Sequence, residues 1–196
     1  MKMIDQPKIA KASKFRKIRT SAAVMLSALC LVGMTSCEDE DDDPIVDSYN
    51  QQDRNFAVSS SENINAQISF GQLALDNGED DSVIEYATML VSENTDSKTE
   101  LEGIVDGTDV EISDGITEAM QAKYDELALL SGEDFDMAFI DFQIEALDNS
   151  MSIYENEEDN GENFTLKGFA EKTLGKVKDQ KKEAVLVKAE IELEGV

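Results

Sequence analysis

The sequence predicts an all-α fold, a four-helix bundle with a short additional helix, on three observations. Apolar residues recur at helical spacing in four blocks from Phe56 onward. Only one stretch, Val185 to Leu193, alternates with the period of two that a strand shows. The 196 residues include only two cysteines, so a buried core and not a disulfide framework has to hold the domain together.

The chain opens with a three-part export signal over residues 1–36. Seven basic residues (Lys2, Lys8, Lys11, Lys14, Arg16, Lys17, Arg19) precede an apolar run from Ala22 to Met34 and then small residues, a pattern that is removed on export. The run is about a dozen residues long, short of the ~20 needed for a spanning helix. Met34-Thr35-Ser36-Cys37 resembles the lipobox of bacterial lipoproteins. The resemblance implies cleavage before Cys37 and a covalent lipid on its thiol, with a second acylation at the new terminus; two or more chains anchor stably where one does not. Cys30 leaves with the signal and Cys37 is taken by lipid, so no thiol survives.

Residues 37–55 read as the lipidated cysteine and an acidic, disordered tether. Six consecutive acids, Glu38 to Asp43, repel one another, and the stretch to Asn55 holds almost no apolar residue. The acids resemble the export signals that some Gram-negative bacteria place after the lipid cysteine. That resemblance implies an outer-membrane lipoprotein, with the cell surface favoured over the periplasmic face.

Residues 56–196 make the helical domain. The first helix runs from about Phe56 to Asp76, with Phe56, Ile64, Ile68 and Leu75 on one face and Asn77-Gly78 as a stop. Ser82 to Glu85 has the form of a capping box opening the second, which carries Val83, Tyr86, Ala87, Leu90, Leu101 and Ile104 to near Gly107. After Thr108 to Gly115, a short helix presents Ile116, Met120, Tyr124, Leu127 and Leu130. Ser131 caps the next and most apolar helix, with Phe135, Ala138, Phe139, Phe142, Ala146, Met151 and Ile153. A polar loop, Glu155 to Asn163, leads to the last helix, where Phe164, Leu166, Phe169, Ala170, Leu174 and Val177 face inward and lysines gather in the later half. Val185 to Leu193 fits either a fraying helix or an unpaired strand. Helix is favoured, because no partner strand is evident.

Charge narrows the partners. Removal of the signal takes Lys and Arg from 17 to 10, Asp and Glu from 43 to 42, and the net charge to about −32. Such a surface repels nucleic acid and anionic headgroups. Contact with the membrane then runs through the lipid alone, leaving a basic protein face or diffuse divalent cations as partners. Chemistry is restricted as well. A serine nucleophile lacks a histidine base, since the chain has no histidine. Asn156 to Gly161 resembles the start of a calcium loop, but Lys167 stands where the bidentate Glu belongs.

Gly71 to Leu75, Tyr86 to Thr95, Leu130-Ser131-Gly132 with Phe135-Asp136, and Phe169-Ala170 with Thr173-Leu174 resemble, in order and spacing, a ferritin-like family of unknown function often labelled predicted outer membrane protein. The resemblance covers about Phe56 to Ala184. It implies an exported, often lipid-anchored bundle with no established activity. Ferritin-like bundles elsewhere hold two metal ions through inward Glu and Glu-x-x-His groups. The register implied by the resemblance puts the family's glutamate at Gln67 and its histidines at Asn94, Leu147 and Gln180. Three amides and one apolar residue make a poor first-row metal site. The expectation is a non-enzymatic envelope or interaction module with a degenerate metal site and no cofactor beyond the lipid. The alternative is a metal-binding or oxidative-stress enzyme in which carboxylates such as Glu93, Asp141 or Glu145 take over as ligands.

Overall fold

The computed structural model describes residues 48–194, all helix and connecting turn, with no strand among them. Four long helices and one short one follow in order: α1 (Gln51–Asn77), α2 (Asp81–Val105), α3 (Glu118–Leu127), α4 (Gly132–Asn160) and α5 (Phe164–Glu194). Helices α1 and α2 form one antiparallel hairpin and α4 and α5 another. The hairpins pack through α1 against α4 and α2 against α5.

The connection between the hairpins climbs the length of the bundle along α1. Asp109 meets Arg54 in an ion pair of 2.9 Å. Farther up, the Ser113 amide donates to Ser61 Oγ at 2.7 Å and Asn65 Nδ2 donates to the carbonyls of Ser113 and Gly115. Tyr124 of α3 then rests against Phe70, and Asn77 Nδ2 donates to the Leu130 carbonyl at the top. So α1 runs up, α2 and α4 run down, and α5 runs up.

Two apolar clusters stack along this axis. The upper one is built on Phe70, Leu90, Phe135, Phe139 and Val187, the lower on Phe56, Leu101, Leu147, Tyr154 and Phe169. Gly71 lets α1 and α2 approach closely, since a β-carbon there would lie 2.6 Å from Val91 Cγ2.

Several element ends depart from the sequence reading. Helix α1 begins at Gln51, so residues 51–55 are helix and not tether; Asn50 and Asp53 form a reciprocal capping box that starts it. The cap of α2 is Asp80 and not Ser82. Its carboxylate accepts from the Ser82 amide at 2.8 Å and the Ser82 hydroxyl at 2.6 Å, and the hydroxyl bond holds the Asp80 carboxyl below its usual range. A charged acceptor suits the positive helix end better than a hydroxyl.

The polar stretch expected as a loop from Glu155 is the last part of α4. Tyr154 and Glu157 face inward one turn apart and carry the helix to Asn160. Phe164, expected in the core, is 77% exposed. It lies two residues before Leu166, on the opposite side of a helix that turns about 100° per residue. Val185 to Leu193 is helix, with Val187 and Ile191 closing the upper cluster.

Candidate functional site

The level between the two apolar clusters is polar, and each long helix contributes to it. Helix α1 changes from the lower cluster to the upper between Ile64 and Phe70, with Ala66 already in the upper, Ile68 still against the lower and Gln67 between them; α2 passes from Leu90 to Leu101 through Asn94 and Ser97. Helix α4 passes from Ile140 to Leu147 through Gln143, and α5 from Val177 to Ala184 through Gln180. Each long helix therefore buries an amide near the changeover between the clusters, and α1 buries Asn63 and Asn65 close by as well. Exposure is 2% for Gln67, 6% for Asn94, 0% for Gln143 and 3% for Gln180.

Their hydrogen bonding is incomplete within the protein. Asn94 Nδ2 donates to the Leu90 carbonyl of its own helix at 2.8 Å, and Gln180 Nε2 donates to Glu93 Oε2 at 2.8 Å. Gln67 Oε1, Gln180 Oε1 and both polar atoms of the Gln143 amide have no protein partner. Nearby, Lys176 Nζ donates to Ser97 Oγ at 2.9 Å. Tyr86 is buried just above, also without a partner for its hydroxyl. Burial pushes that hydroxyl above its usual range, and the Glu93 and Glu183 carboxylates add to the effect.

Three of the four positions expected from the sequence, Gln67, Asn94 and Gln180, belong to this level. Leu147 does not; it is fully buried in the lower cluster, one turn past Gln143. Gln143 is the residue that the sequence reading missed. It lies four residues after Phe139 and four before Leu147, so it falls on the apolar stripe of the most apolar helix. A polar residue at an apolar register position was the available signal.

Of the carboxylates considered as substitute ligands, Glu93 reaches the level through its bond from Gln180. Asp141 and Glu145 are exposed on the outer side of α4, Asp141 in an ion pair with Lys188 at 2.7 Å. Among the described residues no three Asp, Glu or Cys side chains are grouped to hold a metal ion. Neutral amide oxygens are weak ligands for divalent first-row ions, and what the four amides offer is hydrogen bonding.

The upper end of the bundle carries a separate acidic depression of about 570 Å³, lined in part by Glu79, Asp80, Glu133, Asp136 and Glu190. Asp136 is the buried member. Its carboxylate accepts from the amides of Glu79 and Asp80 at 3.1 and 2.9 Å and so pins the α1–α2 turn to α4. Burial raises its carboxyl above the usual range.

Cys37 and the acids that follow it lie outside the described residues. No helix among those described is long and apolar enough to cross a membrane. Neither a curated protein nor a solved structure matches the chain. The model of one family, a domain of unknown function named DUF4142, matches residues 43–186, which take in α1 to α4 and most of α5. The chain belongs to the DUF4142 family.

Proposed function

We propose that this protein is an exported, lipid-anchored module without enzymatic activity, whose bundle descends from a ferritin-like metal-binding architecture that has lost its ligands. The observation that carries this reading is the polar level of Gln67, Asn94, Gln143 and Gln180, one buried amide from each long helix. In ferritin-like proteins the inward carboxylates and imidazoles project from four helices in the same way. The connection supports the descent too, since a single long crossover between two hairpins characterises ferritin-like bundles. Anchoring at Cys37 puts the bundle in the cell envelope of a Gram-negative bacterium, on the outer membrane. There its acidic surface meets a basic protein face or a diffuse layer of divalent cations.

Among the described residues, Glu93 is the carboxylate that reaches this level and favours the enzyme alternative, and a lone carboxylate does not make a two-metal site. Titration of the purified protein with Fe²⁺, Zn²⁺ and Mn²⁺ tests the reading. Diffuse binding to a charged surface is screened at high ionic strength. The expected result is binding that disappears in about 0.5 M salt, where the screening length falls to a few ångströms. Stoichiometric binding that survives salt would overturn the proposal.

A further inference from the structure

The lower end of the bundle holds two acids where their burial is hardest to explain. Asp53 and Glu157 are both 0% exposed. Asp53 fastens two helix starts at once. Its Oδ2 accepts from the Asn50 amide at 2.6 Å, and its Oδ1 accepts from the amides of Glu162 and Asn163, both at 3.0 Å. Asn163 in turn caps α5, accepting from the amides of Thr165 and Leu166 at 3.0 and 2.9 Å. Three backbone N–H donors thus converge on Asp53 at two positive helix ends.

Glu157 of α4 is buried at the same end of the bundle, between Gln52, the residue before Asp53, and the Gly161 turn whose next two amides donate to Asp53, and there its carboxyl interacts with that of Asp53. Its Oε2 accepts from Gln52 Nε2 at 3.2 Å, while no N–H or O–H donor in the protein reaches its Oε1. Two carboxylates can share a hydrogen bond only if one carries a proton; Asp53 accepts three N–H bonds, and the acceptor site left on its Oδ2 can take an O–H from Glu157. The proton therefore belongs on Glu157. Gly161 closes the turn directly over this group, and any β-carbon there would collide with the Glu157 carboxyl. The charged groups that act on Glu157 are Asp53 of α1 and Lys167 of α5. Lys167 is engaged at the Gly161 carbonyl, 3.0 Å away.

We propose that Asp53 and protonated Glu157 form a proton-held clasp, which ties the entry of the chain into α1 to the α4–α5 turn and loosens as the proton is lost. Burial, and then the bond to Asp53, push the Glu157 carboxyl up to about 7 from a usual value of 4.5. The sign follows from linkage. A carboxyl raised in the folded state binds its proton more tightly there than in the unfolded chain, so its contribution is complete in acid and is lost as pH rises from about 4.5 through about 7. The clasp sits where α1 leaves the stretch that leads back to Cys37. Resting on the envelope location proposed above, the clasp would make the stability of this end of the bundle respond to external pH.

The experiment is urea denaturation of the full chain and its Glu157→Gln variant from pH 5 to pH 8.5. The amide introduced by this substitution donates an N–H to Asp53 in place of the acid proton and does not titrate. The wild-type folding constant is expected to fall on the order of a hundredfold more than that of E157Q across this range. Equal pH dependence in the two proteins would overturn the proposal. Should E157Q not fold, the wild type alone decides, through the carboxyl carbon resonance of Glu157. A midpoint near 7 supports the clasp, and one below about 5.5 overturns it.

Discussion

Truncation of Phe139 to Ala removes the side chain on which the upper cluster is centred. Phe139 is fully buried, stacks on Phe135 with ring centroids 5.6 Å apart, and meets the Tyr86 ring edge-on at 6.2 Å. Deleting a buried phenyl ring costs about 3–5 kcal/mol, and the spread depends on how far the surroundings collapse into the space. The upper part of that range applies here, because the two aromatic contacts add about 0.5–1.5 kcal/mol each and rigid rings relax poorly. A domain of this size has roughly 5–15 kcal/mol to lose, and each kcal/mol moves the melting temperature by about 2–4 °C. F139A should therefore melt roughly 10–15 °C lower and unfold at a clearly lower urea concentration with an unchanged slope. A loss below about 1 kcal/mol would show that α4 does not turn this face to α1, α2 and α5.

Phe164→Ala provides the contrast: with the ring mostly exposed, its stability in urea denaturation should change by less than about 0.5 kcal/mol. Gln143→Leu replaces an amide with no protein partner by an apolar group of similar length, and calorimetry should find it as stable as wild type or up to about 1 kcal/mol more stable; a loss above about 2 kcal/mol would mean that this amide is well bonded. Gly161→Ala should destabilise by about 1–3 kcal/mol, measured by urea at pH 5, because the methyl displaces the Glu157 carboxyl. The quadruple change Gln67→Glu, Asn94→His, Gln143→His and Gln180→His should bind zinc in a titration, whereas the same set with Leu147→His in place of Gln143→His should bind more weakly. Equal affinities would remove Gln143 from the polar level.

The long helices were legible because their apolar faces repeat over many turns, and Phe135, Phe139, Leu90 and Ile64 are buried as their spacing requires. The ends were less so. At Asn50 and Asp80 the cap is set by which of several neighbouring acceptors reaches a free amide, and a sequence rich in Asp, Asn and Ser offers many. Glu157 shows the same limit more sharply. A helix that continues through Glu155 to Asn160 looks like solvated loop until Asp53, more than a hundred residues earlier, supplies the partner that allows one acid to be buried. At the polar level, Gln67, Asn94 and Gln180 came from family resemblance. Gln143 was hidden by its apolar neighbours, because a register carried over one turn out of step places Leu147 at the same angle on the helix.

The claim that the mid-bundle level has lost its ligands is tested most directly by the metal content of the protein purified from its native envelope without chelators and washed in high salt. Far less than one ion of iron, zinc or manganese per chain is expected, because four neutral amides occupy the level where charged ligands would be needed. One or two ions per chain, retained through the wash, would contradict it and point to Glu93 as the first ligand to identify.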